Sequence, residues 1–114
     1  MSEQRSDSQV IEDLYLVIDS RRGGDAEASY TAKLFKAGRP QITKKIGEEA
    51  VEVAIAALAE TPKKVVEESA DLLYHLLVLW AEMGIKPDQV WAELESRTGT
   101  SGIEEKASRP KDED

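Results

Sequence analysis

No cysteine occurs anywhere in the 114 residues, which excludes a disulfide framework, a thiolate zinc site and an iron–sulfur cluster. An intracellular setting is the natural expectation. A run of about 18 apolar residues, the minimum for a bilayer-spanning helix, is missing too. The opening stretch MSEQRSDSQ is polar where a secretory signal needs an apolar segment. We therefore expect a soluble, cytoplasmic protein that does not enter a membrane. Positive charge is in deficit: 15 Lys and Arg stand against 23 Asp and Glu, for a net charge of −8. That balance argues against holding nucleic acid or an anionic membrane by charge, and suits cationic partners such as metal ions. No Gly-x4-Gly-Lys-Ser/Thr segment is present, so any phosphate must be held by side chains and metal rather than by a P-loop.

Glycine and proline are sparse, and the stretches between them read at helical period, with no convincing strand and no internal repeat. A first amphipathic stretch runs from about Ser8 to Arg22 and stops at Gly23-Gly24. A short helix from about Ser29 to Ala37 ends on Gly38, expected as a left-handed C-cap. Arg39-Pro40 opens a long helix to about Glu60. Thr61-Pro62 is an N-cap followed by a proline at the first helical position, and the next helix runs to Met83 with Gly84 as its stop. Pro87 opens a last helix, to about Thr98. The length suits one domain over 1–114, with flexible tails at about 1–7 and 110–114. The fold class expected is all-α: a helical bundle in which two antiparallel central helices carry carboxylate stripes.

Lys45, Glu48, Glu49 and Glu52 fall within about 100° of arc on the long helix, beside Ile46, Ala50, Val53, Ala54, Ala57 and Leu58. On the next helix Lys64, Glu68, Asp71 and His75 share a stripe, and the run from Leu72 to Trp80 is apolar on nearly every side. Such a segment belongs in a core or a subunit interface. The short Thr61-Pro62 turn makes the two helices neighbours, so Glu49/Glu52 can meet Glu68/Asp71. Four or five converging carboxylates repel one another beside a dry core, and a divalent metal supplies the counter-charge. Oxygen-only ligands favour Mg²⁺, with Mn²⁺ as the substitute, and Mg²⁺ takes substrate phosphates as its other ligands. The plainer reading, a solvated acidic face, loses ground because two acidic pairs fall on adjacent helices with apolar flanks. A di-iron carboxylate bundle needs Glu-x-x-His, and Leu72 stands three positions before His75. His75 is open between a hydrogen-bonded core residue and a contact to substrate. Residues 29–45 hold five bases, Lys33, Lys36, Arg39, Lys44 and Lys45, and no acid. A local inversion of charge ahead of an acidic helix suits a polyphosphate bridged by metal. The segment from Thr98 to Arg109 offers backbone amides, hydroxyls and bases that suit a phosphate loop.

Glu49-x-x-Glu52, fifteen residues, then Glu68-x-x-Asp71 resembles the metal signature of the all-α, MazG-like nucleotide pyrophosphohydrolases. Added to it are Ser29-Tyr-Thr-Ala-Lys-Leu34, Gly38, Ile42-Thr-Lys-Lys-Ile-Gly-Glu-Glu-Ala50, Ala70-Asp-Leu-Leu-Tyr-His-Leu-Leu-Val78 and Ser101-Gly-Ile-Glu-Glu-Lys-Ala-Ser-Arg109. Together these resemble the phosphoribosyl-ATP pyrophosphohydrolase family of histidine biosynthesis, from about Val10 to Arg109. The resemblance implies a Mg²⁺-dependent homodimer that cleaves phosphoribosyl-ATP between its α- and β-phosphates. It implies Glu49, Glu52, Glu68 and Asp71 as metal ligands, and Glu48 or Glu49 as the catalytic base. Lys33, Lys44, Lys45, His75, Arg97, Ser101, Gly102, Lys106 and Arg109 are the implied substrate contacts. Two alternatives stay open: a house-cleaning (d)NTP pyrophosphohydrolase of the same fold, and a non-catalytic helical dimer that only binds metal or a partner.

Overall fold

A computed structural model describes residues 9–99 and 106–109. Ser101, Gly102 and the expected tails at about 1–7 and 110–114 fall outside the described residues. The described chain is all-helical, with no strand: α1 (Gln9–Ser20), α2 (Tyr30–Ala37), α3 (Arg39–Ala59), α4 (Pro62–Met83) and α5 (Pro87–Glu95). The helix starts follow the capping chemistry of the sequence. Ser29 accepts from the backbone N–H of Ala32 and Thr61 from that of Lys64, each from an extended backbone. Pro40, Pro62 and Pro87 lie in the first turns of α3, α4 and α5, where a missing N–H costs no helical bond.

Two helix ends fall short of expectation, for one reason. α1 stops at Ser20 and α5 at Glu95 because the chain tightens into three-residue hydrogen bonds: Arg21 N–H to Ile18 C=O at 2.9 Å and Thr98 N–H to Glu95 C=O at 3.0 Å. Gly84 ends α4 in the left-handed conformation, but Gly38 does not share it. Its φ of +94° with ψ of −179° lies in a region essentially reserved for glycine. There its N–H bonds to Leu34 C=O while its own carbonyl accepts from Ile42 N–H, so one residue closes α2 and starts α3.

The core gathers Tyr15 and Ile18 of α1, Leu34 of α2, Ile42 of α3, and Leu77, Val78 and Ala81 of α4, with Ile46, Tyr74 and Trp80 packed against it. Polar ties fix the outer helices. The Tyr15 hydroxyl donates to Ile85 C=O at 2.8 Å, and Arg22 donates to Ala81 C=O at 2.7 Å. The Trp91 indole N–H donates to Glu12 at 2.8 Å, holding α5 to α1. α3 and α4 share the most extensive contact between any two described helices.

That pairing uses only part of their apolar surface. Leu58, expected among residues covering the acidic stripe, is 89% exposed, and Val51, Ile55, Val66 and Leu73 are exposed as well. Only Ile42 and Ala56 of α3 are fully buried. Val51, Ile55 and Leu58 follow at i, i+4 and i+7, so they form one stripe, and Val66 and Leu73 repeat that spacing on α4.

Candidate active site

Residues on a helix that differ by three positions are 60° apart around its axis, and this decides which carboxylates meet. The chain brings together Glu49 of α3 with Glu68 and Asp71 of α4, one oxygen from each lying within 4.8 Å of the other two. Glu49 and Glu68 are half-buried and Asp71 is exposed. Glu52 sits 60° around α3 from Glu49 and outside this set, though its charge still reaches Glu68. Glu48 lies further round and pairs with Lys45 at 3.3 Å. An all-oxygen trio on rigid helices fits a hard divalent cation and offers nothing to a soft one.

The electrostatics carry the mark of crowding. Burial pushes the Glu68 carboxyl above its ordinary range; Lys64, at 3.7 Å, opposes this, and Asp71, Glu52 and Glu49 reinforce it. The hydrogen bond to Glu48, followed by Tyr30, holds the Lys45 ammonium above its ordinary range.

His75 is held by the protein on both sides of its ring. It is 6% exposed, and both ring nitrogens are engaged within the protein. Nδ1 lies 2.8 Å from Asp71 C=O, which can only accept, so Nδ1 carries the donating proton. Nε2 is hydrogen-bonded to the Tyr30 hydroxyl at 2.8 Å. The residue after Tyr30 and the residue before His75 repeat the link, Thr31 Oγ1 being hydrogen-bonded to the Tyr74 hydroxyl. The first turn of α2 is thus fastened to α4 by two consecutive hydroxyls. Tyr30 also packs edge-on against the His75 ring, as does Tyr74. Burial raises the Tyr30 hydroxyl's pKa; Lys45 opposes that shift, while Glu49, Tyr74 and Glu48 add to it.

The bases surround this seam unevenly. Lys33 and Lys45 line a cleft of about 260 Å³ between α2 and α3, together with Tyr30, Leu34, Ala37 and Gln41. Lys44 lines a separate, shallower groove along α3 with Thr43, Gly47, Glu48, Val51 and Glu52. Arg97 is bound to Glu93 at 3.2 Å, Lys106 is exposed and Arg109 half-buried. Sequence reasoning missed Tyr30, Thr31, Gln41 and Tyr74 as parts of this region. No spacing signals them, because Tyr30 and Thr31 meet partners 45 and 43 residues away in the chain.

The described helices form an all-α protein that presents clustered carboxylates beside a basic cleft. Residues 11–98 match the phosphoribosyl-ATP pyrophosphohydrolase family, and the chain belongs to that family. It is 62% identical over 105 residues to a phosphoribosyl-ATP pyrophosphatase of Paramagnetospirillum magneticum, covering 92% of this chain and 96% of the relative. The corresponding protein of Rhodospirillum rubrum is 61% identical, over 90% of this chain and 88% of its own. That of Azospirillum brasilense is 50% identical, over 96% and 98%.

The raised Glu68 pKa sets an expectation for stability. A carboxyl whose folded pKa lies above its unfolded value destabilises the fold once ionised, so its penalty is absent in acid and grows as pH rises through the folded value. Glu68→Gln should therefore melt above the parent at pH 7 in chelator, and the difference should close towards about pH 4, where the parent carboxyl is protonated. Thermal scans across pH check this; a variant that melts lower at pH 7 would show that the Lys64 pair outweighs the crowding.

Proposed function

We propose that this chain hydrolyses N1-(5-phosphoribosyl)-ATP to phosphoribosyl-AMP and pyrophosphate, the second step of histidine biosynthesis, in the cytoplasm and as a Mg²⁺-dependent homodimer. The observation that carries this reading is the convergence of Glu49, Glu68 and Asp71 in a chain that matches the family over residues 11–98. In this reading α3 and α4 run antiparallel across the Glu60-Thr61 link, and a single domain spans the chain. The ligands of the ion are Glu49, Glu52, Glu68 and Asp71, with Glu52 completing the set from the adjoining arc of α3. An ion held by these residues would supply positive charge against the phosphates and make nearby water more acidic.

The chain's own residues do the rest. Glu48, paired with Lys45 rather than gathered into the trio, keeps an oxygen to take the proton from the attacking water; Glu49 is the second choice for that base. Water adds to phosphorus, the bridging bond between the α- and β-phosphates breaks, and the charge passes to the departing phosphate oxygen. Lys33, Lys44, Lys45, Arg97, Ser101, Gly102, Lys106 and Arg109 form the phosphate-binding set. The exposed apolar stripes Val51, Ile55, Leu58 on α3 and Val66, Leu73 on α4 support the dimer, since exposed apolar surface is a usual mark of a subunit contact.

Pyrophosphate release should be seen from phosphoribosyl-ATP and not from dNTPs, and Asp71→Asn should lower kcat on the order of a hundredfold or more with the helical spectrum unchanged. Turnover of dNTPs alone would favour the house-cleaning alternative, and release from neither substrate the non-catalytic one. Sedimentation at low micromolar concentration should give a dimer. Leu73→Glu, which places a charge in the apolar face, should shift it to monomer; a parent that sediments as a stable monomer would remove the dimer from the account.

A further inference from the structure

The ligand of the reading above carries two separate anionic groups: the polyphosphate that reacts, and a phosphomonoester on the ribosyl arm that does not. The basic residues are divided in a corresponding way. Lys44 shares its groove with Glu48 and Glu52, so an anion there faces carboxylates and requires a metal ion between. Lys33 is exposed, makes no ion pair with a described carboxylate, and lines the α2–α3 cleft with Lys45. Leu34 and Ala37 give that cleft an apolar floor, and Gln41 adds an amide.

We propose that this α2–α3 cleft is a sugar-phosphate subsite that takes the ribose 5′-phosphate arm of the substrate, with Lys33 and Lys45 on the phosphomonoester. The assignment rests on the function proposed above. Lys33 brings an ammonium that no described carboxylate engages and Lys45 a second, shared with Glu48 at 3.3 Å, so the pair can hold a phosphomonoester without a metal between. The apolar floor suits the face of a sugar ring, and the Gln41 amide its hydroxyls. The cleft is built in advance of any ligand, because Tyr30 forms its wall while its hydroxyl is held by the buried His75. It also runs into the carboxylates: Gln41, Lys45 and Glu49 follow at four-residue intervals on one face of α3, so a ligand seated on Lys33 and Lys45 extends along that face towards Glu49.

Metal independence separates this subsite from the reacting centre. Isotope-labelled protein in chelator, titrated with ribose 5-phosphate, should show saturable NMR shifts at Lys33, Leu34 and Gln41, and Lys33→Ala should weaken that binding about tenfold. Pyrophosphate should shift those residues less in chelator than ribose 5-phosphate does. In turnover, Lys33→Ala should raise KM for phosphoribosyl-ATP about tenfold while kcat changes less than about threefold. No saturable shift in the parent, equal binding in Lys33→Ala, or stronger metal-free shifts with pyrophosphate would each overturn the subsite. Hydrolysis of phosphoribosyl-ATP without ribose 5-phosphate binding would overturn it while the proposed function stood. Binding in the cleft with no hydrolysis would support a sugar-phosphate site and overturn the function.

Discussion

Like charge held at close range is the constraint on which the rest of the molecule turns. Glu49, Glu68 and Asp71 bring oxygens within 4.8 Å of one another, and their mutual repulsion has to be overcome by packing elsewhere. The packing is supplied at one end of the helix pair, where Ile42 of α3 and Leu77, Val78 and Ala81 of α4 lie in the core with residues of α1 and α2. Those contacts set where α3 lies along α4, and the carboxylates are carried to their meeting point by rigid helices rather than by loops. A cation placed there would answer the repulsion directly, and the folded protein would then bind it more tightly than the unfolded chain.

The same rigidity explains the division of labour between α2 and α3. Gly38, in a backbone conformation open to little but glycine, reverses the chain within one residue and sets the two helices side by side. Tyr30 and Thr31 then fasten the first turn of α2 to His75 and Tyr74. The outcome is a basic cleft fixed in place next to an acidic cluster, with opposite charges within reach of each other. Lys45, bonded to Glu48 at the border of the two regions, is where they touch.

Much of this was legible in the sequence because it depends on local chemistry. Ser29, Thr61, Pro40, Pro62, Pro87 and Gly84 act on their immediate neighbours, so the order of the five helices and most of their ends could be read from spacing. Glu49, Glu68 and Asp71 were legible because helical period turns sequence distance into a position on a face. The remainder was not local. Whether Glu52 joins the trio depends on 60° of arc relative to a second helix. The sequence leaves His75 open between core and site, because its partners, Tyr30 and the Asp71 carbonyl, include one that is distant in sequence. Leu58 falls by period on the apolar face adjoining the acids and is 89% exposed in the single chain, since period identifies an apolar face and not what covers it.

The central claim is that Glu49, Glu68 and Asp71 form a divalent cation site, and binding of Mn²⁺ followed by electron paramagnetic resonance tests it without reference to turnover. Titrated into the parent protein, Mn²⁺ should lose its free-ion signal in a saturable way that Mg²⁺ reverses, and Glu49→Gln should restore most of that signal at the same concentrations. A free-ion signal in the parent as strong as in buffer up to millimolar Mn²⁺, or identical titrations for parent and variant, would contradict the account.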